Sequence, residues 1–240
     1  MLALLVAFLQ DLPAPVKTSW GRIEWKESAA VLHVETWPAD GKVAMPRLNK
    51  PIGAVYVLGD QAQKPVPFQP NLNDWTVSRP KGQDAPAIVV ETVGKPRVAG
   101  EAPPVVDAGK DGSVTLAAHE ALCHGRMLRY EPQPHKNTVG YWVDDKDWVE
   151  WRFRAKPGTY KVLILQGCGK DQGGSSIQVS VGDQKLDATV EETGHFQNFV
   201  ERSLGSITLA KDGEAKLEIR AVKKAKAAVM DVRRMKLVPE

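Results

Sequence analysis

The chain is poor in cysteine. Cys123 and Cys168 are the only two in 240 residues, too few for a disulfide framework or a cysteine-built zinc cage. They would pair only if an oxidising compartment and the fold brought them together, and two buried free thiols fit the composition equally well. Long apolar runs are also lacking. The first nine residues, MLALLVAFL, fall far short of the ~20 needed to span a bilayer, so no transmembrane span is expected. Their apolar character suits the core of a secretory signal, which makes 1–16 a signal or N-terminal segment and places the protein outside the cell or in the periplasm. No Lys or Arg precedes the run and no small-x-small cleavage site follows it. A buried first strand, or a reading frame that starts upstream, are the alternatives.

An excess of charge is missing as well. The net charge of +3 is too small to argue for nucleic acid without a concentrated patch. One basic cluster exists, Arg220, Lys223, Lys224, Lys226, Arg233, Arg234 and Lys236, and it reads as solvated surface charge around a turn.

No stretch of twelve residues holds a helical period with a cap; SVTLAAHEALCHG comes nearest. The chain reads instead as strands. VLHVETW (31–37), GAVYVLGD (53–60) and AIVVETV (87–93) are β-branched runs bounded by Pro, Gly and Asp. The Pro- and Gly-rich stretch that follows them reads as a connection, with 99–112 as its linker. Beyond it WVEWRF, TYKVLIL, SIQVSVGD, KLDATVE, GSITLA, AKLEIRAV and AVMDVRRMKLV succeed one another at the spacing of a sandwich or jelly roll. FRAKPGTYKVLI and TLAKDGEAKLEI each set Lys-x-Gly between alternating runs, as in a hairpin or a sheet-to-sheet crossing. The expectation is an all-β protein of two β-sandwich domains, 17–98 and 113–240.

Catalytic signatures are absent or fail on spacing. HEALCH (119–124) separates its histidines by five residues. That places them about 140° apart on a helix, or on opposite faces of a strand, so one metal cannot take both. QGCGKDQGGS (166–175) contains G-x-G-x-x-x-G, but a period-two strand follows where a phosphate cradle requires a helix. Its glycines are read as letting a loop turn tightly and bring backbone close to another group. No G-x-S-x-G elbow occurs, and nothing marks a carboxylate pair set across a deep cleft. No catalytic residue is assigned.

Aromatic residues are scarce, 7% of the chain, yet three tryptophans and a tyrosine crowd into YWVDDKDWVEWRF (141–153) among Asp144, Asp145, Asp147 and Glu150. From residue 148 the strand period sends Val149, Trp151 and Phe153 to one face and Trp148, Glu150 and Arg152 to the other. The apolar set should be core. Tyr141, Trp142 and Trp148 remain as candidates for an exposed platform, with the acids between them as loop solvation. GHFQNF (194–199) is read as a loop that offers His195, Phe196, Gln197 and Asn198, an imidazole, an aromatic and two amides. Amides carry both donors and acceptors, which suits vicinal hydroxyls better than a charge. Lys170 in the glycine loop is a further candidate. A neutral sugar, whose C–H face is apolar and whose hydroxyls need polar neighbours, is the ligand such a rim suits.

Several of these runs carry a resemblance. RMLRYEPQPHKNTVGYWVDDKDWVEWRF, LILQGCGKDQGGSSIQVSVGDQKL, ETGHFQNFVERSLGSITL and AAVMDVRRMKLVP resemble a module appended to bacterial α-L-fucosidases and sulfatases, a galactose-binding-like jelly roll of the carbohydrate-binding-module type, over about 113–239. WGRIEWKESAAVLHVETWPADGKVAMPRLNKPIGAVYVLGD with AIVVETV is similar to the small C-terminal β-sandwich of glycoside hydrolase family 29 fucosidases, over about 19–93. The resemblance implies a noncatalytic carbohydrate-binding protein of a secreted glycan-degrading system, without the catalytic barrel. Its partners would be a neutral glycan and a separate glycoside hydrolase chain. A fucosidase fragment, or a structural protein-interaction module, is the alternative. The resemblance also implies a structural calcium held by acids of an early and of the last strand. Asp231 matches the late position. At the early one this chain has Ala118-His119-Glu120, where His replaces a hard oxygen ligand and leaves Glu120.

Overall fold

A computed structural model describes residue 12 and residues 14–82 and 86–240. The run MLALLVAFL lies outside the described residues. The chain divides into two compact units. One comprises residues up to Pro46 together with Ile52–Pro96, the other Arg47–Pro51 with Arg97–Glu240.

Both units are built of strands, as the alternation of apolar and polar residues requires. The first contains β1 (Val16–Thr18), β2 (Gly21–Lys26), β3 (Ala29–Val34), β4 (Lys42–Met45), β5 (Ile52–Val57), β6 (Phe68–Pro70), β7 (Trp75–Ser78) and β8 (Ala87–Thr92). These form a five-stranded sheet in the order β1-β2-β3-β8-β5 and a three-stranded sheet β4-β7-β6. Trp20, Trp25 and Trp75 are buried in this unit, and Trp20 Nε1 donates to the Ala44 carbonyl at 3.0 Å.

The second unit begins its strands with β9 (Val105–Asp107), β10 (Val114–Ala117), β11 (Leu122–His124), β12 (Arg129–Glu131) and β13 (Thr138–Gly140). It continues through β14 (Trp148–Ala155), β15 (Gly158–Cys168), β16 (Ser176–Val181) and β17 (Gln184–Thr189). The longest strand, β18 (His195–Leu209), precedes β19 (Gly213–Lys223) and β20 (Asp231–Pro239). One sheet runs β12-β13-β20-β15-β18 with β10 also on β20, the other β11-β14-β19-β16-β17 with β9 also on β14. The two Lys-x-Gly turns are therefore sheet-to-sheet crossings, since β14 and β15 lie in different sheets, as do β18 and β19. Val149, Trp151 and Phe153 are completely buried and meet Val162, Ile164, Met235 and Leu237 of the facing sheet in one jelly-roll core.

Two stretches differ from the sequence reading. Residues 99–112 contain β9, which pairs in parallel with Arg152–Arg154 of β14, so this connection contributes a strand of the second unit. GHFQNF, expected as a loop, supplies the beginning of β18. There Cys168 pairs with His195, and the register shifts between Gln166 and Cys168. The irregular register accommodates a run whose apolar residues do not alternate.

The ambiguous segment SVTLAAHEALCHG resolves into β10, a single 3₁₀ turn at Ala118–Glu120, and β11. Around that turn Arg97 donates to the carbonyls of His119 and Ala121, both at 2.8 Å. Asn49 Nδ2 donates to Ala121 O at 3.0 Å and Arg47 to Tyr130 O at 2.9 Å. These bonds hold residues 47–51 within the second unit. Burial, with Lys50 and Arg97 close by, pulls His119 down to about 4. Cys123 and Cys168 are both free thiols, pushed up to about 12 and about 11 by burial.

Candidate functional site

The aromatic stretch folds around one of its acids. Asp147, 1% exposed, accepts the backbone N–H groups of Arg126, Met127 and Leu128 at 2.8–2.9 Å. Its backbone carbonyl accepts Trp142 Nε1 at 3.1 Å. Asp147 is therefore structural, and the reading of these acids as loop solvation is corrected at this position. A carboxylate accepting several backbone N–H groups forms charge-assisted bonds that can order a whole loop. Gly125 permits the approach: its φ is +107°, and a Cβ there would lie 1.9 Å from Asp147 Oδ1.

The same arrangement removes Trp142 from the surface. Its side chain is fully buried, because the indole N–H finds its acceptor inside the loop and the ring joins the core. Trp148 is partly exposed yet closed to a stacking ligand. His124, opposite it on β11, lies parallel to the indole at 3.7 Å between ring centroids. Arg220, opposite it on β19, sits 3.7 Å from the same ring's centroid. Strands on either side of β14 thus use both faces of the indole.

Tyr141 differs from both. It is 46% exposed, and the guanidinium of Arg129 covers one ring face at 3.8 Å. Its φ is +60°, a left-handed backbone that a bulky residue rarely adopts. Such strain persists where the surroundings impose it and concentrates at binding sites.

Next to Tyr141 opens a pocket of about 270 Å³. It is bordered by Glu131, Lys136, Tyr141, Trp142, Val143, Phe196, Gln197, Ala228 and Asp231. Four separate segments supply the chemistry: the end of β12, the residue after β13, the start of β18 and the start of β20. Phe196 is seated by glycines of the QGCGKDQGGS loop. A Cβ on Gly167 would meet Phe196 O at 1.9 Å, and one on Gly169 would meet the Phe196 ring at 2.6 Å. The close approach expected of these glycines is therefore to Phe196.

Two acids line the same pocket. Glu131 is 8% exposed and Asp231 5%. A Cβ on Gly140 would lie 2.7 Å from both Glu131 Oε2 and Asp231 Oδ1, so the carboxylates are separated by no more than twice that distance. Lys136 Nζ bonds Glu131 Oε1 at 2.8 Å. Asp231 Oδ2 has Gln197 Nε2 at 3.4 Å. Burial first, and the charge of Glu131 second, push Asp231 up to about 7.

The structure thus brings Tyr141, Phe196, Gln197 and Asp231 together, with Trp142 bordering the pocket as a buried residue. Lys170, His195 and Asn198 are exposed but do not border it. His195 Nδ1 accepts Gln197 N–H at 3.1 Å, and Asn198 Nδ2 donates to Thr193 O, so both shape the chain entering β18. Glu131, Lys136 and Gly140 were missed. Their only signal was proximity to a tyrosine across the β12–β13 hairpin, which no sequence period reveals.

Glu120 and Asp231, the acids expected to share a calcium, are held by different neighbours. Glu120 Oε2 accepts Ala117 N–H at 2.8 Å and faces Lys50 and Arg97. Among the described residues no group of three or more His, Cys, Asp or Glu side chains is arranged to hold a metal. Among the same residues no helix is long and apolar enough to cross a membrane.

A family model described as "Domain of unknown function (DUF5077)" matches residues 130–239, a span that includes every residue bordering the pocket. Comparison with curated protein sequences finds no match. Among solved structures, the insecticidal crystal protein Cry2Aa is similar with a TM-score of 0.50 at 12% identity, over 82% of this chain and 32% of that one. This is a likeness of fold. The α-L-fucosidase from Vibrio sp. strain EJY3 aligns at TM-score 0.38 and 17% identity, over 94% of this chain and 40% of that one. The C-terminal CBM6 of LamC, a marine laminarinase from Zobellia galactanivorans, aligns at 0.43 and 16%, over 52% and 98%. This chain spans less than half the length of the fucosidase.

Proposed function

We propose that the second unit is a carbohydrate-binding module whose site is the pocket between Tyr141 and Phe196. The observation that carries the reading is the convergence of two aromatic rings, an amide and two carboxylates from four segments on one cavity. A sugar ring needs an apolar wall for its C–H face and directed acceptors for its hydroxyls. At about 270 Å³ the cavity lies just under the usual ~300–1,000 Å³ of ligand sites. It has room for one sugar ring, so the ligand is a terminal or branching residue of a glycan. In this reading the module is noncatalytic and serves a secreted glycan-degrading system, holding a glycoside hydrolase chain near its substrate.

Affinity electrophoresis and calorimetry of the full chain on a glycan panel test the reading. Retardation by at least one glycan is expected, with Tyr141→Ala and Phe196→Ala each weakening it about tenfold or more while the fold is retained. Binding that both substitutions leave unchanged would place any sugar elsewhere, and no binding across the panel would reject the role.

A further inference from the structure

The pocket holds more negative charge than a neutral sugar requires. Of its two buried carboxylates, Glu131 is already matched by Lys136. Asp231 is not. Among the described residues its Oδ1 accepts no hydrogen bond, and Oδ2 has only the long contact to Gln197. Yet Asp231 is 95% removed from solvent by the 5% exposure of the whole residue, and it borders the cavity. An unmatched buried carboxylate costs free energy that a neutral hydroxyl offsets only in part, whereas an ammonium supplies both charge and donors.

Resting on the carbohydrate-binding reading, we propose that the ligand is an amino sugar, its ammonium held by Asp231 and its ring lodged between Tyr141 and Phe196. Gly140 makes this possible, since any Cβ there would fill the space into which both acids lean. A metal ion suits the pocket less well. Calcium takes six to eight oxygen ligands, and one of the two carboxylates here is already bonded to a lysine.

Asp231 is faced by Glu131 of β12, Lys136 of the β12–β13 turn, Tyr141, the Cys168 thiol of β15, and Arg233 on its own strand. Burial and Glu131 keep it partly protonated near neutrality. Arrival of an ammonium favours the carboxylate and expels that proton. A neutral sugar expels none.

The test uses the full chain with glucosamine, galactosamine and mannosamine, each beside its N-acetylated and its neutral 2-hydroxy counterpart. At least one amine should bind about tenfold or more tightly than both counterparts. Calorimetry at about pH 6, in buffers of different ionisation enthalpy, should show proton release for the amine alone. Asp231→Asn, nearly isosteric, should abolish both the preference for the amine and the proton release. Equal affinities across each series, or a preference that survives Asp231→Asn, would overturn the proposal and leave sugar binding standing. No binding by any of these sugars, or by the wider panel, would overturn both.

Discussion

Tyr141 and Trp148 lie seven residues apart in one aromatic run and face opposite circumstances. Trp148 sits mid-sheet, where flanking strands deliver His124 and Arg220 to its two faces. Tyr141 stands just beyond the end of β13, with Arg129 on one face and a cavity beside it. Both rings meet solvent, but Tyr141 borders a cavity, whereas both faces of Trp148 are covered. Availability of an aromatic ring is thus decided by what neighbouring strands place against it, and exposure alone does not measure it.

The comparison can be broken from beneath, at the residues that hold the run in place. Trp142→Ala should cost most, about 3–5 kcal/mol of stability by chemical denaturation, because it empties a fully buried site in the core. Asp147→Ala follows at about 3 kcal/mol, as three backbone N–H groups lose their acceptor. A variant retaining wild-type stability would show that the loop does not depend on this carboxylate.

Asp231→Asn sharpens the pocket side through pH. The folded protein raises this acid from its ordinary 3.8 to about 7, so the fold binds its proton more tightly than the unfolded chain. Its contribution is fully present below about pH 4 and is lost as pH rises through 7. The asparagine variant should match the wild type near pH 4 and exceed it by up to about 4 kcal/mol at pH 8, measured as paired denaturation curves. No gain at alkaline pH would count against the buried, charge-coupled position of Asp231.

Two smaller effects separate the rings directly. Gly169→Ala should shift the Phe196 ring, which a new Cβ would meet at 2.6 Å, and weaken sugar binding severalfold at about 1 kcal/mol of stability. Trp148→Ala should remove up to about 1 kcal/mol of cation–π and stacking energy and leave sugar affinity unchanged in the same titration. A loss of affinity there would erase the distinction between the rings.

Much of the fold was legible because strand periodicity is local. The alternation in WVEWRF put Val149, Trp151 and Phe153 in the core, where they are found. The glycines of QGCGKDQGGS announced a close backbone approach, and Phe196 is what approaches. The site was legible only in part. Tyr141, Phe196 and Gln197 were candidates on their chemistry and Asp231 only as the calcium ligand the resemblance implied, but Trp142 and Trp148 looked as open as Tyr141 in a linear reading. Asp147 looked like its solvated neighbours, because nothing in VDDKD shows which acid turns inward.

By itself the sequence determined the all-β class, the core face of its strands and the turns at Lys-x-Gly, which the sheet order then resolved as crossings. These follow from backbone geometry and side-chain polarity within a few residues. The tertiary structure alone decided which rings remain open, which acid orders a loop and that Glu131 and Asp231, a hundred positions apart, share one pocket beside Gly140. Those facts depend on strand pairing between distant segments, and burial that changes a carboxylate's charge exists only once the pairing has formed.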